Sequence, residues 1–231
     1  MSVSVIGTYH SKFGKLDDSI YELLVKAGQG ALEDSGVAAK DIDGIWIGNY
    51  SGGGFNNQEH LAPYSMNIHP DLRFTPATRV ENACASGSAA IREAKLAVEA
   101  GAVKYALVIG VEKMTSLDTK GVTKALAMAS CWPEEGAEGM TFPGLFAEFA
   151  KGYKAEYDID DEELRRRFEA FCESSRNLYN SYLEPHSQKV IHALRSRNLF
   201  PSLLSQRKKR LLLNLTRCEA HRDVLLNILE P

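Results

Sequence analysis

The chain has 231 residues, of which 44% are hydrophobic and 25% are charged, and its formal net charge is -3 at pH 7. These values are typical of a folded globular protein and argue against a disordered chain. No stretch is long and apolar enough to span a bilayer, and the N-terminus lacks the basic and then apolar pattern of a signal peptide. We therefore expect no membrane partner.

The cysteines are far apart in the sequence and form no C-x-x-C pair, the spacing of many metal and redox sites. We therefore expect free thiols, no metal site and a reducing compartment, which indicates a cytoplasmic protein. The four cysteines are Cys84, Cys131, Cys172 and Cys218.

The first 170 residues alternate apolar runs with amphipathic segments, which predicts an α/β fold. The apolar runs show little alternation, so we expect strands buried on both faces of a parallel or mixed sheet. The predicted strands are 3–7, 44–48, 76–82 and 105–111, and the predicted helices are 19–35, 84–100, 141–157 and 160–170. The segment between Thr115 and Met140 is predicted to be irregular.

The most informative residue is Cys84, which stands where an extended run ends and a helix of small residues begins. A cysteine at a helix N-terminus faces unpaired N–H groups and the positive end of the helix dipole, and both favour the nucleophilic thiolate. The alternative is a buried cysteine that acts as a small hydrophobic residue. The small residues that follow Cys84 leave room for other backbone to approach.

The segment around Cys84, Val80–Ser88, resembles the nucleophile segment of the thiolases. Further matches occur along the chain in the expected order, as far as residue 188. The most similar group is the archaeal and bacterial acetyl-CoA acetyltransferases related to sterol-carrier-protein-type thiolases. The matching segments are Tyr9–Gly14, Gly48–Gly54, Gln58–His60, Gly110–Thr115 and Thr141–Leu145.

The resemblance implies the N-terminal half of a thiolase-like fold, a mixed sheet with helices on both faces, over residues 1–170. It implies a loop insertion at about 115–170 that covers the active site. It also makes Cys84 the nucleophile, which carries an acyl-thioester intermediate and directs its backbone N–H at the oxyanion. Coenzyme A thioesters would be the substrates, with no metal or prosthetic cofactor. Relatives form homodimers or tetramers, and residues 76–82 would lie at the dimer surface.

Two other functions stay open. One is a ketoacyl-synthase-like condensing enzyme, although the matches at Glu112–Thr115 and Thr141–Gly144 favour a thiolase. The other is a catalytically impaired half that only binds or is non-functional. Relatives carry a Gly-His-Pro histidine and a Cys-x-Gly cysteine in their second half, and this sequence contains neither triplet. Four residues near the C-terminus have the right residue type for these roles, but their neighbours do not match either triplet. They are His186, His192, His221 and Cys218.

The composition changes after Gln188. All 18 glycines lie at or before Gly152, whereas residues 189–231 contain 9 Lys or Arg against 3 Asp or Glu. Residues 171–188 still resemble the family, although Leu178 stands where relatives carry a histidine. We expect residues 189–231 to be a frame-shifted or alternative ending that packs poorly.

Two local patterns have simple interpretations. The basic run Arg207–Arg210 is a single cluster without interleaved aromatic residues, so we interpret it as a solvated surface and expect no nucleic-acid partner. The run Gly52–Gly54 lacks the Gly-Lys-Ser/Thr ending of a phosphate-binding loop, so we predict a turn near the pocket.

Overall fold

A computed structural model describes residues 3–12, 14–183 and 210–215. The described chain forms two compact units. The first comprises residues up to Asp118 together with 210–215, and the second comprises residues 119–183.

The first unit is built on a five-stranded sheet with the order β1-β5-β4-β2-β3. All four strand pairings are parallel, so in the described part of the chain the expected mixed sheet is a parallel one. The long connections between successive strands explain this, since a parallel neighbour requires a crossover. The strands are β1 (Ser4–Val5), β2 (Gly44–Gly48), β3 (Ala77–Val80), β4 (Tyr105–Gly110) and β5 (Arg210–Leu215).

Strands β2 and β4 form the centre of the hydrophobic core. Their side chains are buried along almost the whole strand, as the unbroken apolar runs of the sequence predict. Strand β3 lies at one end of the described sheet and is more exposed than its neighbour β2.

Two helices of the first unit contact the sheet, α1 (Ile20–Ser35) and α3 (Ser86–Glu99). Helix α1 begins at a capping box, in which the Ser19 side chain accepts from the Glu22 N–H and the Glu22 carboxylate accepts from the Ser19 N–H. It ends at Gly36, whose φ of 67° is the left-handed conformation that favours glycine. The predicted helix 19–35 is confirmed, with Ser19 as the N-cap and Ile20 as the first helical residue.

Strand β5 comes from the segment that we expected to pack poorly. It lies between β1 and β4, so this expectation is wrong for residues 210–215. Leu211–Leu213 is an apolar run of the kind that a central parallel strand requires, and its pairing partners β1 and β4 lie far away in the sequence. The other residues of 189–231, including Arg207–Lys209 of the basic run, lie outside the described residues.

The second unit contains three helices, α4 (Thr119–Ala127), α5 (Phe142–Glu156) and α6 (Asp161–Leu183). Helix α4 and the π-helical turn Trp132–Gly136 correct the prediction of an irregular segment here. The helix was missed because Gly121 interrupts its pattern. Helix α5 begins after Thr141, whose hydroxyl accepts from the Gly144 N–H. Arg167 of α6 donates to the Tyr153 hydroxyl of α5 at 2.7 Å.

Helix α6 continues beyond the predicted end at Ala170 as far as Leu183. Among the described residues, no helix combines the length and the hydropathy that a membrane span requires.

Candidate active site

The candidate site lies at the carboxyl ends of three adjacent strands, β2, β3 and β4. Gly48 of β2 is in register with Val80 of β3 and with Gly110 of β4. The segments that leave these strands therefore begin side by side. In open parallel sheets this edge is where ligands bind.

Cys84 lies in the segment that follows β3. It occupies a 3-10 turn, Ala83–Ala85, immediately before α3 begins at Ser86. The α-helix therefore starts two residues later than predicted, and the cysteine belongs to the turn that leads into it. Its side chain is exposed, so the alternative of a buried hydrophobic cysteine does not apply.

Side chains hold this turn on both sides of Ala83. The Glu81 Oε1 atom accepts from the Ala83 N–H at 2.5 Å. The Ser86 hydroxyl donates to the Ala83 carbonyl at 2.7 Å and accepts from the Asn82 N–H at 2.9 Å. The backbone of Ala83 has a φ of 45°, a value that is uncommon outside glycine.

The segment after β2 contacts the segment after β4 through a buried carboxylate. Glu112 is 8% exposed, and its oxygens accept from the Tyr50 N–H at 2.8 Å and from the Asn49 side-chain amide at 3.0 Å. The same amide donates to the Val111 carbonyl at 2.9 Å. Burial raises the pKa of Glu112, although these N–H donors and the positive charge of Arg79 oppose the shift.

Arg79 of β3 holds the same segment from the other side. Its Nη2 donates to the Tyr50 carbonyl at 2.7 Å, and its Nη1 forms an ion pair with Glu59 at 2.6 Å. The Tyr50 backbone is therefore fixed between Glu112 and Arg79. Burial raises the pKa of the Tyr50 phenol to about 12, and negative charge at Glu81, Glu112 and Cys84 acts in the same direction.

The run Gly52–Gly54 begins a short helix, α2 (Gly52–Asn56), which corrects the predicted turn. The Ser51 hydroxyl accepts from the Gly54 N–H and caps this helix. Glycine is needed because a Cβ on Gly52 would lie 2.2 Å from the Gln58 carbonyl oxygen. These glycines therefore allow close packing beside the site.

Four residues of this arrangement were not singled out as site residues by the sequence: Asn49, Tyr50, Arg79 and Glu112. The sequence did contain a signal for Glu112, which is a carboxylate two residues after the end of the buried strand β4, where a polar residue needs a partner. Within the described residues, no group of three or more His, Cys, Asp or Glu side chains is placed to hold a metal ion. The candidates His186, His192, His221 and Cys218 lie outside the described residues.

Comparison with known proteins gives the following similarities. The family model "Thiolase, N-terminal domain" matches residues 3–171. The acetyl-CoA acetyltransferase of Methanocaldococcus jannaschii is 46% identical over 163 residues, which are 70% of this chain and 41% of that protein. The acetyl-CoA acetyltransferase of Methanothermobacter thermautotrophicus is 42% identical over 163 residues, with 70% of this chain and 42% of that protein covered.

Among solved structures, the acetyl-CoA acetyltransferase from Syntrophomonas wolfei is similar with a TM-score of 0.39 and 23% identity. The similarity covers 46% of this chain and 28% of that chain. The chain spans about two fifths of the length of the two curated relatives.

Proposed function

The chain belongs to the thiolase family through the N-terminal domain that residues 3–171 match, and from this premise we propose that it is an acyl-CoA acyltransferase. The reaction is the formation or cleavage of acetoacetyl-CoA or a related 3-ketoacyl-CoA. The observation that carries the proposal is the exposed thiol of Cys84, in a turn held by side chains at the edge where the carboxyl ends of parallel strands meet.

In the first half-reaction, the Cys84 thiolate attacks the carbonyl carbon of acetyl-CoA. A new carbon–sulfur bond forms to Cys84, the bond to the coenzyme A sulfur breaks, and coenzyme A leaves with the electron pair. The Cys84 N–H is our candidate for an oxyanion donor, since a backbone donor at this place stabilises the tetrahedral intermediate. The product is an acetyl-cysteine, the covalent intermediate of a ping-pong reaction.

In the second half-reaction, another acetyl-CoA loses a proton from its α-carbon. The resulting carbanion attacks the acetyl carbon, a carbon–carbon bond forms, and the Cys84 thiolate leaves. By resemblance, the proton transfers belong to the Gly-His-Pro histidine and the Cys-x-Gly cysteine of relatives, and we assign these roles to no residue of this chain.

The proposal also covers the substrates, the cofactors, the assembly and the location of the protein. Coenzyme A thioesters serve as substrates, and no metal ion or prosthetic group takes part. The active protein is a homodimer or tetramer in the cytoplasm. Nucleic acid and membranes are not among its partners. The edge position of β3 in the described sheet supports an assembly through residues 76–82, because a second copy there would pair an open edge.

The alternative is a half that binds without catalysing. Incubating the purified chain with acetyl-CoA, followed by peptide mass spectrometry, tests both. We expect one acetyl group on the peptide containing Cys84 and none on it in Cys84→Ser. Cys131→Ser is the matched control, since Cys131 is also exposed. Acetylation of Cys131 alone, or of neither cysteine, would contradict the proposed function.

A further inference from the structure

The turn that carries Cys84 contains a strained residue. Ala83 directly precedes the cysteine and has a φ of 45°, in the left-handed region where the Cβ of any residue except glycine is crowded. Such a conformation persists only where surrounding contacts maintain it. The contacts around Ala83 therefore decide where the next residue, Cys84, is placed.

Two side chains act on the two peptide groups of Ala83. Glu81 accepts from its N–H at 2.5 Å, and Ser86 donates to its carbonyl at 2.7 Å. Ser86 is only 4% exposed and also accepts from the Asn82 N–H at 2.9 Å, so its hydroxyl bridges the turn from one end to the other. A single hydroxyl thus links the residues that precede Cys84 to the first residue of α3.

The start of α3 has little freedom to move toward β2. An added Cβ on Gly48 would lie 2.7 Å from the Ser86 carbonyl oxygen and 2.7 Å from the Gly87 Cα. Since the helix start lies directly against the strand end, a relaxation of Ala83 has to move the turn and not the helix. The turn contains Cys84.

Resting on the function proposed above, we propose that Glu81 and Ser86 are positioning residues for the nucleophile. They hold Ala83 in the left-handed conformation, and this conformation keeps the Cys84 thiol at the N-terminal end of α3, the positive end of the helix dipole. Without them Ala83 relaxes to an ordinary negative φ. The thiol then moves away from this end of the helix and loses reactivity.

The test is the rate of Cys84 alkylation by iodoacetamide in the purified chain, followed by peptide mass spectrometry. We expect Ser86→Ala to lower the rate roughly tenfold, since small displacements of reacting groups have large effects on rate. Glu81→Ala should lower it in the same direction. Because Glu81 is exposed, its replacement by alanine should not prevent folding, and Glu81→Ala tests the positioning role if Ser86→Ala fails to fold. Ser88→Ala, at an exposed position of α3, is the control and should react at the wild-type rate.

A second variant separates positioning from stability. Glycine tolerates a positive φ, so Ala83→Gly in the Ser86→Ala background should restore the alkylation rate to within about threefold of the wild type. It restores neither hydrogen bond, so a purely stabilising role of Ser86 predicts no rescue. Wild-type rates in both Ser86→Ala and Glu81→Ala, or a double variant that stays slow, would overturn the proposal.

The alkylation rates test the positioning role separately from the proposed function. Acetylation of Cys84 by acetyl-CoA, measured on the same variants, reports the transferase chemistry. If wild-type Cys84 is alkylated rapidly but never acetylated, the proposed function fails while the positioning result stands. If acetylation occurs and the variants alkylate normally, the positioning role fails alone.

Discussion

Gly48 at the end of β2 lies in backbone contact with Gly87 in the first turn of α3. A Cβ added to Gly48 would lie 2.7 Å from the Gly87 Cα and 2.8 Å from the Gly87 backbone nitrogen, closer than such atoms approach in folded proteins. The absence of a side chain at Gly48 is therefore what allows the helix that follows Cys84 to start against the sheet.

Gly48→Ala is expected to destabilise the fold by about 1–3 kcal/mol, because the atoms it meets are backbone and cannot move aside as a side chain would. The free energy of unfolding in urea measures this. Gly152→Ala is the matched control, since nothing lies within 4 Å of its added Cβ in α5, and we expect it to be neutral or stabilising by up to about 1 kcal/mol. Equal stability of the two variants would contradict the close contact.

Cys84 is expected to be the most reactive thiol of the native chain. Both Cys84 and Cys131 are exposed, so exposure alone does not distinguish them, whereas the position of Cys84 at the N-terminal end of α3 does. A limiting amount of iodoacetamide followed by peptide mass spectrometry gives the order of labelling for all four cysteines. Faster labelling of Cys131, Cys172 or Cys218 under native conditions would remove the main support for Cys84 as the nucleophile.

The stability of the first unit is expected to depend on pH through Glu112. Burial raises the pKa of this carboxyl above its ordinary value of 4.5, so the folded state retains the proton over a pH range where the unfolded state has lost it. The contribution of Glu112 to stability therefore falls as the pH rises from about 4.5 through the raised pKa, and it levels off above that value.

Urea unfolding of the wild type and of Glu112→Gln across this pH range isolates the effect, because glutamine does not titrate. The free energy of unfolding of the wild type minus that of the variant should decrease with rising pH. A difference that increases instead would mean that the N–H donors of Asn49, Tyr50 and Ser51 stabilise the carboxylate more than burial destabilises it.

The isolated 231-residue chain is expected to turn over acetoacetyl-CoA feebly or not at all. The loss of a proton-transfer group typically lowers the rate roughly 10²–10⁴-fold, and the helix start beside Cys84 contributes only about 1 kcal/mol. Steady-state thiolysis by the purified chain measures this, and Cys84→Ala accounts for contaminating thiolase. Turnover on the order of 1 s⁻¹ or faster would show that the chain contains an acid/base that we have not identified.

Several elements could be predicted because their causes are local. The capping box of Ser19 and Glu22 and the left-handed Gly36 define α1 within a few residues of chain. The apolar runs that form β2 and β4 are equally local, since their burial on both faces needs no alternation. Helix α4 was missed because Gly121 weakens its pattern, and β5 because strand pairing depends on residues far away in the sequence.

The sequence by itself determined the family and predicted Cys84 as the nucleophile, because both depend on short contiguous motifs. Only the tertiary structure decided what surrounds it. Glu112 and the Tyr50 N–H are 62 residues apart in the chain and meet because β2 and β4 are parallel neighbours that end at the same level. The positive φ of Ala83 likewise has no local signal, since alanine does not favour it and the contacts of Glu81 and Ser86 maintain it.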